Sequence, residues 1–219
     1  MKNASARVPG AASKAPSPPI SGEASASART YYEGPADINC DERVHQRYFT
    51  YHTDQGLVAG VDCSVMFTID RQARDVWPYL KDFNLWQNEH RHYYSGVLGD
   101  LEGRTFRLSD KPNDAGPHYY EVLKVIPEYL IAINQPVPAD SSSAGFPGKG
   151  GVSPGFHVFT LNEHGGKTTV TAFMEHAAIA EGTGEEAVTP WRKLVEGGWQ
   201  RKWREDFIRT LKRLVYEGQ

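Results

Sequence analysis

The chain of 219 residues has few cysteines, no long apolar run and no excess of charge of either sign. With only Cys40 and Cys63, neither a disulfide framework nor a cysteine-based zinc site is available. No stretch approaches the roughly 18 apolar residues of a spanning helix, and a mean hydropathy of −0.54 excludes a membrane bundle. A formal net charge of −3 argues against a nucleic-acid partner. Two thiols fit a reducing compartment, so we expect a cytoplasmic protein.

Several catalytic motifs are also missing. The sequence contains no G-x-S-x-G nucleophile elbow, and neither cysteine has a neighbouring histidine. Its glycines do not form a phosphate-binding loop with Lys-Ser/Thr. The 8 histidines leave a metal site open, but no spacing matches an established site, and the pair His90-x-His92 alone is a weak signal. We therefore predict neither a metal nor a cofactor.

The chain divides into a tail, an arm and one main domain. Most of residues 1–29 are Ala, Ser, Gly or Pro, which bury too little apolar surface to fold, so we predict a disordered tail. Residues 30–60 mix aromatic and charged side chains without a clean period, which we interpret as an N-terminal arm on the main domain, residues 61–217. Within that domain, residues 134–155 are rich in Gly, Pro and Ser. Such a long loop is typical of a functional lid, with an inert insertion as the alternative.

The main domain has a pattern of strands followed by one long helix. Residues 61–69 alternate apolar and polar side chains, which predicts a strand, and Asp70 stands where the N-cap of a short helix belongs. Further strands are predicted over 118–126, 129–135, 155–162 and 168–176. Pro190 is expected to open a single helix to about Tyr216, because apolar residues recur there at helical spacing. This order is typical of an α+β protein whose curved antiparallel sheet wraps around the terminal helix.

Five segments in this order resemble the START/Bet v 1-like (SRPBCC) superfamily over about residues 61–216. They read VMFTIDRQARDVWPYLKDFNLW, YYSGVLGDLEGRTFRL, HYYEVLKVIPEYLIAI, GGKTTVTAFMEH and WRKLVEGGWQRKWREDFIRTLKRL. The first segment carries the family's apolar-Trp pair, Val76-Trp77, and its later tryptophan, Trp86. The resemblance implies a helix-grip fold with a deep apolar cavity between sheet and C-terminal helix. Members include lipid and hormone carriers, polyketide cyclases, other cofactor-independent lyases and oxygenase domains, so the fold alone does not identify a reaction.

The hairpin around Gly165-Gly166 has a register that the sequence predicts. If these glycines form the turn, His164 pairs with Lys167, and the pairs Leu161 with Val170, Phe159 with Ala172 and His157 with Met174 share one face. This mostly apolar face should line the interior, with His176 diagonal to His157 and Glu175 on the outer face. A buried histidine must be satisfied or used, so the two histidines are either hydrogen-bonded core residues or acid/base groups.

Further candidate residues lie before and after this hairpin. His90, His92 and Tyr94 share one side if their stretch is extended, although a solvated polar edge is the alternative. Trp199 and Trp203 lie mid-helix, where the resemblance places the widest part of the cavity, and flat rings there would stack on aromatic ligands. We expect the ligand to be contacted by His90, Tyr94, Tyr120, Phe159, Met174, Trp199 and Trp203.

Two functions fit these residues. The first is a cofactor-independent enzyme, a lyase, cyclase/dehydratase or isomerase, that acts by general acid/base chemistry on a hydrophobic, aromatic small molecule. His157 and His176 would serve as base and acid, with His92 polarising a substrate oxygen. The alternative is a non-catalytic carrier or sensor of a hydrophobic ligand, which needs a cavity but no pair of titratable groups. The basic face of the last helix is expected to be a solvated surface, with a partner-binding face as the weaker alternative, and the oligomeric state stays open. Its residues are Arg201, Lys202, Arg204, Arg209, Lys212 and Arg213.

Overall fold

Eight strands form one antiparallel sheet in a computed structural model of the chain. The structure describes residues 27–39, 41–82, 102–108, 118–135, 155–199 and 203–218. The spatial order is β1-β2-β3-β8-β7-β6-β5-β4. The strands are β1 (Thr30–Ile38), β2 (Glu42–Thr53), β3 (Gly56–Ile69), β4 (Thr105–Leu108), β5 (His118–Ile126), β6 (Leu130–Gln135), β7 (Gly155–His164) and β8 (Lys167–Ile179). The strands predicted in the main domain are thereby confirmed.

The helices lie after β3 and at the C-terminal end. Helix α1 spans Ala73–Leu80, α2 spans Glu185–Leu194 and α3 spans Thr210–Glu217. Between α2 and α3, Val195–Trp199 and Trp203–Arg209 are π-helical. Because the C-terminal helical segments pack on the interior face of a curved sheet, the α+β helix-grip fold is confirmed.

Residues 30–53 form two strands that the sequence did not predict. Strand β2 pairs with β3 along its whole length, and β1 pairs with β2 at the edge of the sheet. The polar–apolar period was obscured because Tyr48 and Phe49 are both buried although they point to opposite faces. Phe49 is covered on the outer face by Arg29, whose guanidinium lies 4.5 Å from the ring centre and also pairs with Glu175.

The single helix expected from Pro190 to Tyr216 is wrong in two respects. Helix α2 begins earlier, at Glu185, where two glutamates in its first turn favour the positive end of the helix dipole. The helical path is then broken at Gly198, whose φ of 116° a residue with a side chain rarely adopts. The apolar residues before and after Gly198 therefore do not form one continuous helical stripe.

The N-cap predicted at Asp70 is also wrong. Helix α1 begins at Ala73 with Gln72 at its N-cap position, and the Glu163 carboxylate of β7 accepts the Ala73 N–H at 2.9 Å. Asp70 instead pairs with Lys167 at 2.9 Å. A long-range side chain thus satisfies one of the free amides that start every helix.

Two separate apolar clusters pack on the interior face of the described fold. The Phe207 cluster joins α1, α3 and the second π-helical segment to β3, β7 and β8, and includes Val65, Phe67, Trp77, Phe159, Val170, Phe207 and Leu211. The Trp191 cluster joins α2 to β2, β3 and β8, and includes Tyr48, Ala59, Val61, Ala178, Val188, Trp191 and Val195. The break at Gly198 lies between Val195 and Phe207, so each half of the C-terminal region packs in its own cluster.

Two basic residues near the C-terminus, Arg204 and Lys212, hold the N-terminal strands, which corrects the expectation of a solvated surface for these two. Arg209 and Arg213 are exposed, as expected. Arg204 pairs with Glu42 and with Asp37, the latter at 2.9 Å, and Lys212 reaches Glu42 at 2.9 Å. Burial alone would raise the pKa of Glu42, but the two cations lower it overall. These partly buried pairs fasten β1 and β2 to the C-terminal helical region.

Candidate functional site

The border between the two clusters is where polar side chains enter the interior. Along β2, Gln46 lies between Val44 of the Phe207 cluster and Tyr48 of the Trp191 cluster. Along β8, His176 lies in the same way between Met174 and Ala178. We call this border, with Gln46, Gly155, His157 and His176, the seam.

The register of the sheet confirms the predicted face of the β7–β8 hairpin. His164 pairs with Lys167 and His157 pairs with Met174, with the intermediate pairs as expected. Glu175 lies on the outer face, where Arg29 binds it. Two glycines with positive φ at positions 165 and 166 form the two-residue turn that fixes this register.

His157 is the most enclosed titratable group of the seam. Only 6 % of the residue is exposed. Its ring centre lies 5.2 Å from that of His176 and 5.8 Å from that of Tyr120, both in edge-on arrangements. Its Nε2 atom is buried and finds no hydrogen-bond partner within the described part of the chain. A buried polar atom without a partner is uncommon and calls for an explanation.

Gly155 gives the His176 ring its space. The two residues are cross-strand partners, and a Cβ built on Gly155 would lie 2.6 Å from Cε1 and 2.7 Å from Nδ1 of His176. The imidazole therefore occupies the volume that a side chain at position 155 would fill. This places the His176 ring beside His157, two residues further along the same strand.

Burial lowers the pKa of one group at the seam and raises the pKa of the neighbouring Tyr120. It lowers the pKa of His157 well below the ordinary value, and the neighbouring His176 adds to this effect. It raises the pKa of Tyr120, which is buried. At neutral pH His157 is therefore a neutral imidazole that can accept a proton, and Tyr120 is a protonated phenol that can donate a hydrogen bond.

Gln46 and Gly155 are seam residues that sequence reasoning missed. Gln46 is fully buried opposite Cys63, and neither of its amide atoms has a hydrogen-bond partner among the described residues. The adjacent Cys63 thiol is a weak contact that leaves the amide unsatisfied, and burial raises the pKa of this thiol. A lone Gln in a mixed segment gives no inward signal, but Gly155 at the end of a long Gly-rich loop could have been considered as a close-approach site.

The other predicted ligand contacts fall into three groups. Phe159 packs against Phe207, with ring centres 5.7 Å apart, inside the Phe207 cluster, and Met174 lies at the border beside His157. The backbone of Trp199 ends the first π-helical segment, and that of Trp203 begins the second. His90, His92 and Tyr94, with residues 136–154 of the predicted lid, lie outside the described residues.

Two further observations concern metals and membranes. Within the described ranges, no three His, Cys, Asp or Glu side chains lie close enough to hold a metal ion together. In the same part of the chain, no helix has both the length and the apolar character needed to cross a membrane.

Comparisons with known proteins give likenesses in fold. A scan against protein-family models and a search of curated proteins found no match. Among solved structures, protein MLL2253 from Mesorhizobium loti is 15% identical with a TM-score of 0.45, covering 71% of this chain and 98% of its own. Truncated norcoclaurine synthase from Thalictrum flavum is 13% identical with a TM-score of 0.45, covering 74% and 97%. CalU16 from Micromonospora echinospora is 17% identical with a TM-score of 0.40, covering 80% and 94%.

These likenesses do not extend to chemistry. At such low identities and TM-scores, none of the three structures carries an argument about what this chain binds or transforms. The candidate site therefore rests on its own residues: two adjacent imidazoles, one of which has an Nε2 without a partner in the described structure, a buried phenol and the unpartnered Gln46 amide.

Proposed function

We propose that the chain binds a hydrophobic, aromatic small molecule at the seam and promotes a proton transfer on it without a cofactor. The observation that carries this proposal is the enclosed His157, whose Nε2 has no partner in the described structure although it lies beside a second imidazole and a phenol. A base held neutral and an acid held protonated, side by side in an apolar setting, is the arrangement that acid/base catalysis requires.

The chemistry assigns each group one task. With its own proton on Nδ1, His157 takes a proton from an acidic C–H or O–H of the substrate through Nε2, and the electron pair moves onto a substrate oxygen. Tyr120 donates a hydrogen bond to that oxygen and stabilises its negative charge. His176 orients His157 and passes the proton that His157 has taken on to the product, so that both imidazoles return to their starting state, and His92 polarises a further oxygen. Lyase, cyclase/dehydratase and isomerase reactions all use this step.

The test begins with ligand discovery and ends with proton exchange. Phenolic and polyketide-like compounds are screened by thermal shift, since a ligand of the native state raises the unfolding midpoint. Binders with an acidic α-proton are then incubated in D₂O, and exchange is followed by NMR. We expect His157→Gln and His176→Gln each to slow exchange about 100-fold while binding is kept.

The matched control is His164→Gln, which changes an exposed histidine in the hairpin turn. Its exchange rate should equal that of the unmodified protein. If both seam variants also keep the full rate, the proposed mechanism is wrong. If only one of them slows, that residue alone carries the proton transfer.

A carrier or sensor is the second candidate, favoured by one observation. The strongly lowered pKa of His157 makes it a weak base, which suits a hydrogen-bond acceptor for a ligand hydroxyl better than a group that removes a proton from carbon. Native mass spectrometry separates the two. A carrier is expected to leave the cell with a stoichiometric hydrophobic ligand, whereas an enzyme is expected to be recovered empty.

A further inference from the structure

Gln46 is a second polar group that the described fold buries without satisfying. The residue is fully buried, and both its amide oxygen and its amide nitrogen are without hydrogen-bond partners within the described ranges. An amide can donate and accept at the same time, so this one can hold either a hydroxyl or a carbonyl group. The proton-transfer mechanism uses none of this capacity.

The surroundings fix Gln46 in place. The β1 strand bulges between Glu33 and Ala36, and there Gly34 lies so close to the Gln46 backbone that a Cβ would overlap the Gln46 carbonyl oxygen. On the other side Gln46 is paired with Cys63 of β3, whose side chain belongs to the Phe207 cluster. The amide is thus confined to the interior face.

Gln46 and His157 lie on the same cross-strand row. The row runs Gln46, Cys63, Met174, His157 through β2, β3, β8 and β7, as the pairing of each strand with the next shows. Three strand spacings separate its ends, about 14 Å between Cα positions. The two members in the middle present sulfur-containing, apolar side chains. Two unsatisfied polar ends therefore enclose an apolar stretch.

We propose that Gln46 is a second anchor for the ligand at the seam, which selects elongated aromatic molecules with a polar group at each end. This inference rests on the proposed function, because one end of the ligand contacts His157. The other end meets the Gln46 amide, and the rings lie along Cys63 and Met174. Polar groups roughly 10 Å apart fit between two side chains that both point inward from this row.

The experiment compares two probes that differ only in the second polar group. These are 4-hydroxybiphenyl and 4,4′-dihydroxybiphenyl, with affinities measured by calorimetry. We expect the unmodified protein to bind the dihydroxy compound about tenfold more tightly, the effect of one buried hydrogen bond. In Gln46→Leu this preference should vanish, while affinity for the monohydroxy compound stays within about twofold. Leu has a similar volume and leaves no polar atom unpaired, so the variant should fold.

The controls separate this inference from the proposal beneath it. Gln55→Leu changes a glutamine in the exposed β2–β3 turn and should keep the preference. His157→Phe should weaken both probes. If 4-hydroxybiphenyl binds through His157 but the preference is absent or survives Gln46→Leu, the second anchor is wrong and the proposed site stands. If neither probe binds, or His157→Phe changes nothing, the binding site itself is wrong, and the anchor with it.

Discussion

The Phe207 cluster, which we call the packed end, and the seam lie on the interior face of the same sheet, but they differ in whether their polar groups have hydrogen-bond partners. At the packed end, Phe207 makes edge contacts with Phe67 and Phe159, at 5.5 and 5.7 Å between ring centres. At the seam, His157 lies two residues from Phe159 along β7, and Gln46 lies two residues from Val44 along β2. Both are buried without partners in the described structure. Apolar contacts saturate one region, and unused hydrogen-bonding capacity marks the other.

Polar groups at the packed end are satisfied by long-range contacts. Thr168 donates its hydroxyl to the Arg71 carbonyl at 2.7 Å, and Tyr216 accepts the Asp70 N–H at 2.9 Å. These bonds tie the corner between β3 and α1 to the hairpin and to α3. The packed end thereby contributes stability that offsets the cost of burying unsatisfied polar groups at the seam.

The largest effect is expected from Phe207→Ala at the packed end. Removing a fully buried ring that touches two others leaves a cavity and should lower the free energy of unfolding by about 3–5 kcal/mol, measured by urea denaturation. At the seam, His157→Phe replaces an unsatisfied imidazole with an apolar ring of similar size, so it should be neutral or stabilising. A cost of less than about 1 kcal/mol for Phe207→Ala would remove the distinction between the two regions.

The second effect is a pH dependence that belongs to the seam. Because burial lowers the pKa of His157 in the native state, the unfolded chain binds a proton near pH 6.5 that the native protein does not. Stability should therefore fall as the pH drops below about 6.5 and continue to fall until the native pKa is reached. The expected loss is about 1.4 kcal/mol between pH 7.5 and 5.5.

The measurement compares urea denaturation of the unmodified protein and His157→Phe over this range. The difference between their slopes isolates His157 from the other histidines, which titrate in both proteins. Parallel curves would show that His157 binds protons equally in the native and unfolded states, and the assignment of a lowered pKa would then fail.

Much of the fold could be predicted because single-face burial leaves a clear pattern. Residues 61–69 and the hairpin around Gly165-Gly166 each have one apolar face, so their alternation and register followed from the sequence. Strand β2 could not be predicted in this way, since Tyr48 and Phe49 are buried on opposite faces. The break in the last helix had a signal, the pair Gly197-Gly198, but the strong apolar stripe around it outweighed that signal.

Only the site residues on the β7–β8 hairpin could be predicted from the sequence. His157 and His176 followed from a two-residue turn and a count along two strands. Gln46 depends on the register of β2 against β3, and that register is determined by tertiary packing rather than by a turn signal of its own. The inward turn of Tyr120 likewise needed the structure, because its neighbour Tyr119 gave an equal signal in the sequence.

The smallest effect on stability is expected from Gly155→Ala, and Gly60→Ala is its comparison, because both glycines lie against β8. Gly155→Ala should cost about 1 kcal/mol, because the new methyl group meets mainly the end of the His176 side chain, which can rotate away. Gly60→Ala should cost about 3 kcal/mol, because its methyl group meets the His176 backbone carbonyl and the enclosed Phe49 ring, which cannot move freely.

The same pair of variants distinguishes a positioning role from a structural one. In Gly155→Ala the imidazole NMR signals of His176 should shift and its edge contact with His157 should be lost, although most stability is kept. In Gly60→Ala those ring signals should stay close to their original positions, since the methyl group points to the outer face. If Gly155→Ala leaves the His176 signals unchanged, this glycine does not position the second imidazole, and the seam loses its supporting residue.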